Sequence, residues 1–303
     1  VRLPIRRRAA GRRTARVQRQ SSWISRTRLL AALGLAGVSA GFYGLTAAKE
    51  FVVDPAQVTI DGVRYADSLE VRADLGLGDE ADLSDGALAA RNLFRLRTDD
   101  MRRRIESQPA VLSASVVAVI PNRLSVIVQE RVPIFVWRAG EGAWLIDRDG
   151  VALAAADLEA DADAAALPQI EDRRTGEAEI VLGSRIDPLD LDVARHLGAL
   201  TPQLVGSTAT SLTITVDDVD GWVVAVPGGW RAVFGPYTPD LHTVDNLDLQ
   251  VQCLRSLLAD REPKVGTVVL AVSADRCGTF TDASPSPKPG RGGQPQPSPE
   301  PSR

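Results

Sequence analysis

Two histidines, two cysteines and one methionine in 303 residues leave this chain poor in the side chains that most often do chemistry. Neither His196 nor His242 has a sequence neighbour that would complete a metal site, so a surface or capped histidine is the simpler reading. Cys253 and Cys277 are too few for a disulfide framework. Two states stay open for them: a single bond outside the cytoplasm, or a buried thiol for Cys253 on a helical face. There is no G-x-S-x-G run and no cysteine–histidine pair with an orienting third group. Asp147, Asp149, Asp217, Asp218 and Asp220 lack the D-x-D-x-D-G spacing of a calcium loop and read as turn acids. No helix pattern follows Gly228-Gly229, which makes it a turn and not a phosphate cradle. The sequence therefore offers no catalytic residue, metal or cofactor. The enzyme reading that survives is a site assembled only in three dimensions, around His242 and Asp245, and it requires a deep polar pocket.

Acidic residues are also missing from one stretch. Residues 1–28 hold ten arginines and no Asp or Glu. Residues 29–48, LLAALGLAGVSAGFYGLTAA, then run without a charge. At 1.5 Å per residue, twenty residues reach roughly 30 Å, the thickness of a bilayer core. Leu29, Leu30, Leu33, Leu35, Val38, Phe42, Tyr43 and Leu45 are the anchoring side chains expected to face lipid. Gly34, Gly37, Gly41 and Gly44 suit a membrane helix better than a water-soluble one. The basic block 1–28 is expected to stay cytoplasmic and to place the rest of the chain outside. A cleaved signal peptide ending near Ala47-Ala48 is the rival reading. Binding of the arginines to nucleic acid or lipid is a further one. Gly37-x-x-x-Gly41 fits a helix-packing spacing that Gly-rich spans often show by chance.

The net charge is −4 and ten positive charges lie in the head, so the remainder carries −14. Such an acidic ectodomain is a poor match for nucleic acid. Residues 281–303 are rich in Pro, Ser, Gly and Gln, lack apolar periodicity and are expected to be disordered. About 230 residues remain for folded structure, enough for two small cores.

The most telling run is P-N-R-L-S-V-I-V-Q-E-R-V-P, residues 121–133. Leu124, Val126 and Val128 alternate with Ser125, Ile127 and Gln129, the period of a half-buried strand. Residues 115–120 form a second strand, and Pro121-Asn122 turns the chain between them. Upstream, V-T-I-D-G suggests a strand from Gln57, residues 65–75 a weak helix, and residues 84–91 a short helical stretch. Thr98 caps a helix with acids in its first turn, arginines later, and Met101 and Ile105 on the inner face. The order is strand, helix, helix, strand, strand.

That order, with N-L-F at 92–94, Q-P-A-V at 108–111 and L-I-D-R-D-G at 145–150, resembles the FtsQ/DivIB family of bacterial cell-division proteins. The resemblance covers about residues 2–280 and is strongest over 110–150. It implies an α+β protein with a single transmembrane helix, a POTRA domain (β-α-α-β-β) at 51–131, and a mixed α/β β-domain at 132–280 whose C-terminal edge strand is open. In that second part, Phe135–Trp137 and Trp144–Ile146 pair around Gly140–Gly142, and Asp149-Gly150 signals a type I′ turn. Leu189, Val193, Leu197, Leu200 and Leu204 share a helical face. Residues 211–216, 222–226 and 230–234 read as strands. Leu247, Val251, Leu254 and Leu258 mark a last helix, and residues 265–272 a last strand.

The resemblance further implies a non-enzymatic bitopic scaffold of the division machinery, with no small-molecule substrate. It would act at the septum on peptidoglycan synthesis, through FtsB/DivIC-like and FtsL-like partners. An open strand edge can accept an extended partner segment. The expected edge is Val268, Val269, Leu270 and Ala271, with contacts at Val272, Ser273, Ala274 and Asp275 and an apolar anchor at Phe280. Ile127 and Gln129 are secondary candidates. The family's Asp-Leu-Arg motif is replaced here by Leu270-Ala271-Val272, which leaves the register of the contact set open. POTRA domains also occur in transport proteins, but these need a C-terminal barrel of many strands that about 150 residues with two helices do not provide.

Overall fold

A computed structural model describes residues 22–78, 81–176, 179–238, 246–271 and 276–283. In chain order the elements are α1 (Ser22–Ala47), β1 (Val58–Asp61), α2 (Ser68–Asp74), α3 (Asp85–Ala90), α4 (Thr98–Ile105), β2 (Val111–Val119) and β3 (Arg123–Glu130). They continue with β4 (Pro133–Ala139), β5 (Gly142–Asp147), β6 (Ala152–Ala155), α5 (Ala162–Ala166), β7 (Gln169–Asp172) and α6 (Pro188–Gly198). The last are β8 (Thr213–Asp217), β9 (Gly221–Ala225), β10 (Arg231–Gly235), α7 (Leu247–Leu258), β11 (Val265–Leu270) and β12 (Gly278–Asp282). Among the described residues the chain divides into two compact units. One holds residues up to Val58 with Leu77–Arg97 and Val117–Ser125; the other holds Thr59–Gly76, Thr98–Val116 and the chain from Val126 onward.

In the first unit, α1 starts seven residues before the uncharged stretch. Its residues Arg26–Ala47 are long and apolar enough to cross a membrane, and none of that window is buried. All eight expected anchors are exposed, from Leu45 at 41% to Tyr43 at 74%. That length and composition are compatible with a membrane anchor. Beyond α1, Val52 bridges to Asn92, and Phe51 meets Phe94 edge to face at 5.1 Å. The short α3 begins where the Ser84 hydroxyl accepts the Ala87 N–H.

The motif run forms strand β3, ordered β1-β3-β2 in a three-stranded sheet. Leu124, Val126 and Val128 are at most 3% exposed while Ile127 is 56% exposed, the alternation read from the sequence. Met101 and Ile105 of α4 are buried as expected. Helix α2 is shorter than its pattern suggested, because Asp67 caps it by accepting the Leu69 N–H at 2.7 Å.

A nine-stranded sheet of order β12-β11-β10-β9-β8-β7-β4-β5-β6 dominates the second unit. Pairs β4–β7, β7–β8 and β10–β11 are parallel and the other neighbours antiparallel. Helices α6 and α7 pack with Phe135, Trp137, Ile170, Trp222, Phe234 and Val268 in the main core. The rings of Trp137 and Trp222 meet edge to face at 5.9 Å. Val136, Leu145 and Leu153 form a second cluster with Ala110 and Ala164. Strand β4 is thus buried on both faces, which is why I-F-V-W is a continuous apolar run without alternation.

Two sequence readings need correction. Asp149-Gly150 is not a type I′ turn: Gly150 has φ +79°, but Asp149 is not among the residues with positive φ. The turn is held instead by Asp147, whose Oδ1 accepts the N–H groups of Asp149 (2.9 Å) and Val151 (2.8 Å). Helix α6 also stops at Gly198, before Leu200 and Leu204, and Leu204 is 53% exposed. Pro202 disfavours helical backbone at Thr201, so the apolar period outlasts the helix.

Candidate interaction edge

The E-R-V-P run at 130–133 owes its chemistry to backbone amides and a buried acid. One carboxylate, Glu130, accepts the N–H groups of Arg64 (2.8 Å), Tyr65 (2.9 Å) and Ala66 (2.8 Å) on Oε1. It therefore closes the loop between β1 and α2. Arg131 Nη1 donates to Asp147 Oδ2 at 2.7 Å and Asp149 Oδ2 at 3.1 Å. Asp147 is 2% exposed, and its charge is met by the arginine together with the two turn amides. These acids hold arginine in its charged form, pushing its pKa up. The motif is a structural staple, and the side chains it fixes lie within the second unit.

The two ends of the large sheet differ. At the β6 end, Ala152 N donates to Ser184 O and Gly183 N to Ala152 O, both at 2.9 Å, so a loop covers that margin. The other end is closed by a strand the sequence did not suggest. Strand β12 pairs antiparallel with β11, setting Val268 opposite Phe280, Val269 opposite Thr279 and Leu270 opposite Gly278. The expected open edge at Val268, Val269, Leu270 and Ala271 is therefore wrong, because the protein's own backbone occupies it. Among the described residues, β12 is the terminal strand at this end of the large sheet and has no outer strand partner. Ala271, just past β11, itself donates to the Cys277 carbonyl.

Three features position β12. Cys253 on α7 is bonded to Cys277, one residue before the strand. Closing a loop of 24 residues removes unfolded-state entropy worth roughly 3 kcal/mol. Gln250, also on α7 and 2% exposed, donates to Phe234 O at 3.1 Å and Ala271 O at 3.3 Å and accepts from the Tyr237 hydroxyl. Burial pushes the Tyr237 pKa up, so the phenol remains a donor. The third is Gly278, with φ +129°, where an added Cβ would stand 2.2 Å from Val269 O. Only glycine lets the chain enter the strand this close to its neighbour.

Of the anticipated contact residues, Val272, Ser273, Ala274 and Asp275 lie outside the described residues. Phe280 is on β12, opposite the buried Val268 and therefore on the core side of the sheet, yet it is 40% exposed. It is an apolar side chain at the margin of the core. Of the secondary pair, Ile127 is exposed and Gln129 accepts the Ser113 hydroxyl at 3.1 Å.

No group of three or more metal-ligating side chains occurs among the described residues. A groove of about 640 Å³ between α6 and α7 is lined by Leu197, Leu200, Leu247 and Val251, with His196 and Arg255. His196 Nδ1 lies 2.8 Å from the Asp192 carbonyl oxygen on the exposed face of α6, a surface histidine. His242 and Asp245 lie outside the described residues.

Residues 54–131 match the model of the FtsQ-type POTRA domain. The chain is thus a POTRA-domain protein preceded by a helix of membrane-spanning length. It is 33% identical over 133 residues to the cell division protein FtsQ of Mycobacteroides abscessus, covering 42% of this chain and 39% of that one. It is 36% identical over 66 residues to FtsQ of Koribacter versatilis (22% and 19%) and 29% identical over 104 residues to FtsQ of Chloroflexus aurantiacus (33% and 35%). The similarity is therefore to FtsQ-type cell division proteins, with the family match confined to residues 54–131. The matches span less than half the length of each of these curated relatives.

Proposed function

We propose that this protein is a single-pass, non-enzymatic scaffold of the bacterial division machinery that works by protein contacts. The observation that carries this is the FtsQ-type POTRA match directly after a helix of spanning length, together with relatives that are cell division proteins. On this reading, the basic head faces the cytoplasm and the folded units face outward at the septum. There they link early and late division proteins and regulate septal peptidoglycan synthesis. The docking element is the outer margin of β12, Gly278–Asp282, which has no strand partner among the described residues and carries Phe280 as a half-covered anchor. The partners are short bitopic proteins of the FtsB/DivIC and FtsL types, adding an extended segment beside β12.

A photo-crosslinker placed at Thr279 in dividing cells tests the edge. Capture of an FtsB/DivIC-like or FtsL-like chain is the expected result, and its loss on Phe280→Asp would locate the anchor. Capture of neither chain type refutes the edge, whereas normal septation after depletion of the protein refutes the division role itself.

A further inference from the structure

The first unit contains a cavity of about 400 Å³ at the point where α1 ends, inside the roughly 300–1,000 Å³ range of small-ligand sites. Tyr43, Thr46 and Lys49 line it from α1 and the turn behind it, and Asp85, Asn92 and Arg95 from the α3 region. Asn92 is 1% exposed, and its Nδ2 donates to Leu45 O at 3.1 Å and Ala48 O at 3.4 Å. Val53 N donates to Arg91 O at 2.9 Å and Leu93 N to Phe51 O at 2.8 Å. The last turn of α1 and the segment 91–95 are therefore tied together by side chain and backbone. Whatever depth the end of α1 takes in a bilayer, Asn92 and Arg95 share it. Tyr43, one turn from that end, belongs to the aromatic level of a membrane interface. Phe94 is 40% exposed and packs edge to face with Phe51, just beyond α1.

The charge of this cavity is specific. Lys49 and Arg95 are both exposed, and neither has an ion-pair partner among the described residues. Against them stands Asp85, so the cavity carries one net positive charge. A cavity at headgroup depth with two cations, one acid and a net charge of +1 matches one phosphodiester.

We propose that this cavity seats the headgroup of an anionic phospholipid from the leaflet in which α1 ends. Lys49 and Arg95 flank the phosphate, and Asp85 accepts from a headgroup hydroxyl while keeping out a second anion. The lipid fixes the first unit at the bilayer surface, so the anchor comprises the cavity as well as the helix. This rests on the reading of α1 as a span.

The test is native mass spectrometry of the full chain, released from nanodiscs containing equal phosphatidylglycerol and phosphatidylcholine. The wild type is expected to keep one phosphatidylglycerol in preference. Each basic residue near an anionic surface contributes about fivefold, so Lys49→Gln with Arg95→Gln should weaken retention about thirtyfold. Arg123→Gln with Arg148→Gln removes the same charge elsewhere on exposed positions and should leave retention unchanged. Equal weakening by both pairs, or equal retention of the two lipids, overturns the proposal while leaving the span intact. A chain that fails to enter nanodiscs at all overturns the span reading and this proposal with it.

Discussion

Replacing Glu130 by alanine removes the acceptor of three backbone N–H groups in the loop before α2. The bonds to Arg64, Tyr65 and Ala66 are 2.8–2.9 Å long, and the acceptor is charged. A hydrogen bond to a charged group contributes about 1.5–3 kcal/mol net, but the Arg64 amide is exposed and recovers a water partner. The two remaining bonds would sum to about 3–6 kcal/mol, and their partial exposure to solvent reduces this to about 2–4 kcal/mol, confined to the loop. Since 1.4 kcal/mol is a factor of ten, exchange of the Tyr65 and Ala66 amides should accelerate at least about thirtyfold. Glu130→Gln keeps an oxygen acceptor without the charge and should fall between the two. Hydrogen exchange on the full chain in detergent reads this, with the Val251 amide of α7 as an internal reference that should not move. Tyr65 and Ala66 protection within about twofold of wild type in Glu130→Ala would refute the staple reading of the motif. A matching rise at Val251 would mean global unfolding and refute its local character.

Two further outcomes follow from the same geometry. Gly278→Val places a branched side chain at φ +129° against Val269 O; backbone strain alone costs about 1–3 kcal/mol, so β12 should detach and β11 amides exchange faster, and unchanged exchange would show that the edge tolerates a Cβ. Burial opposes ionisation of Glu262, but donors from Ser207, Thr208 and Trp230 outweigh it and hold its pKa at about 2 against an ordinary 4.5. A depressed carboxylate contributes stability that is complete above pH 4.5 and lost as pH falls towards 2. After discounting for partial solvent access, Glu262→Gln should cost about 1–2 kcal/mol at pH 7 and almost nothing near pH 2. A stability difference that does not change with pH would refute this.

The apolar span, the alternation of Leu124, Val126 and Val128, and the helical stripe of α7 were legible in the chain itself. Each is a short-range pattern whose period equals that of its element. The E-R-V-P run was legible as a marker, but not what it does. Glu130 and its loop are separated by more than 60 positions, and no local pattern records a carboxylate reaching that far. Strand β12 escaped for a related reason. G-T-F-T-D holds one large apolar residue and exposes four of its five positions, so it lacks the burial that makes a strand periodic. It is a strand because Cys277 is bonded to α7, Gly278 permits close entry and β11 offers a ready edge. Local periodicity determined the apolar helix α1, strand β3 and helix α7 of this protein. Its exposed margin was decided by tertiary structure, because an edge is defined by what does not pair with it, and that depends on every other strand in the sheet.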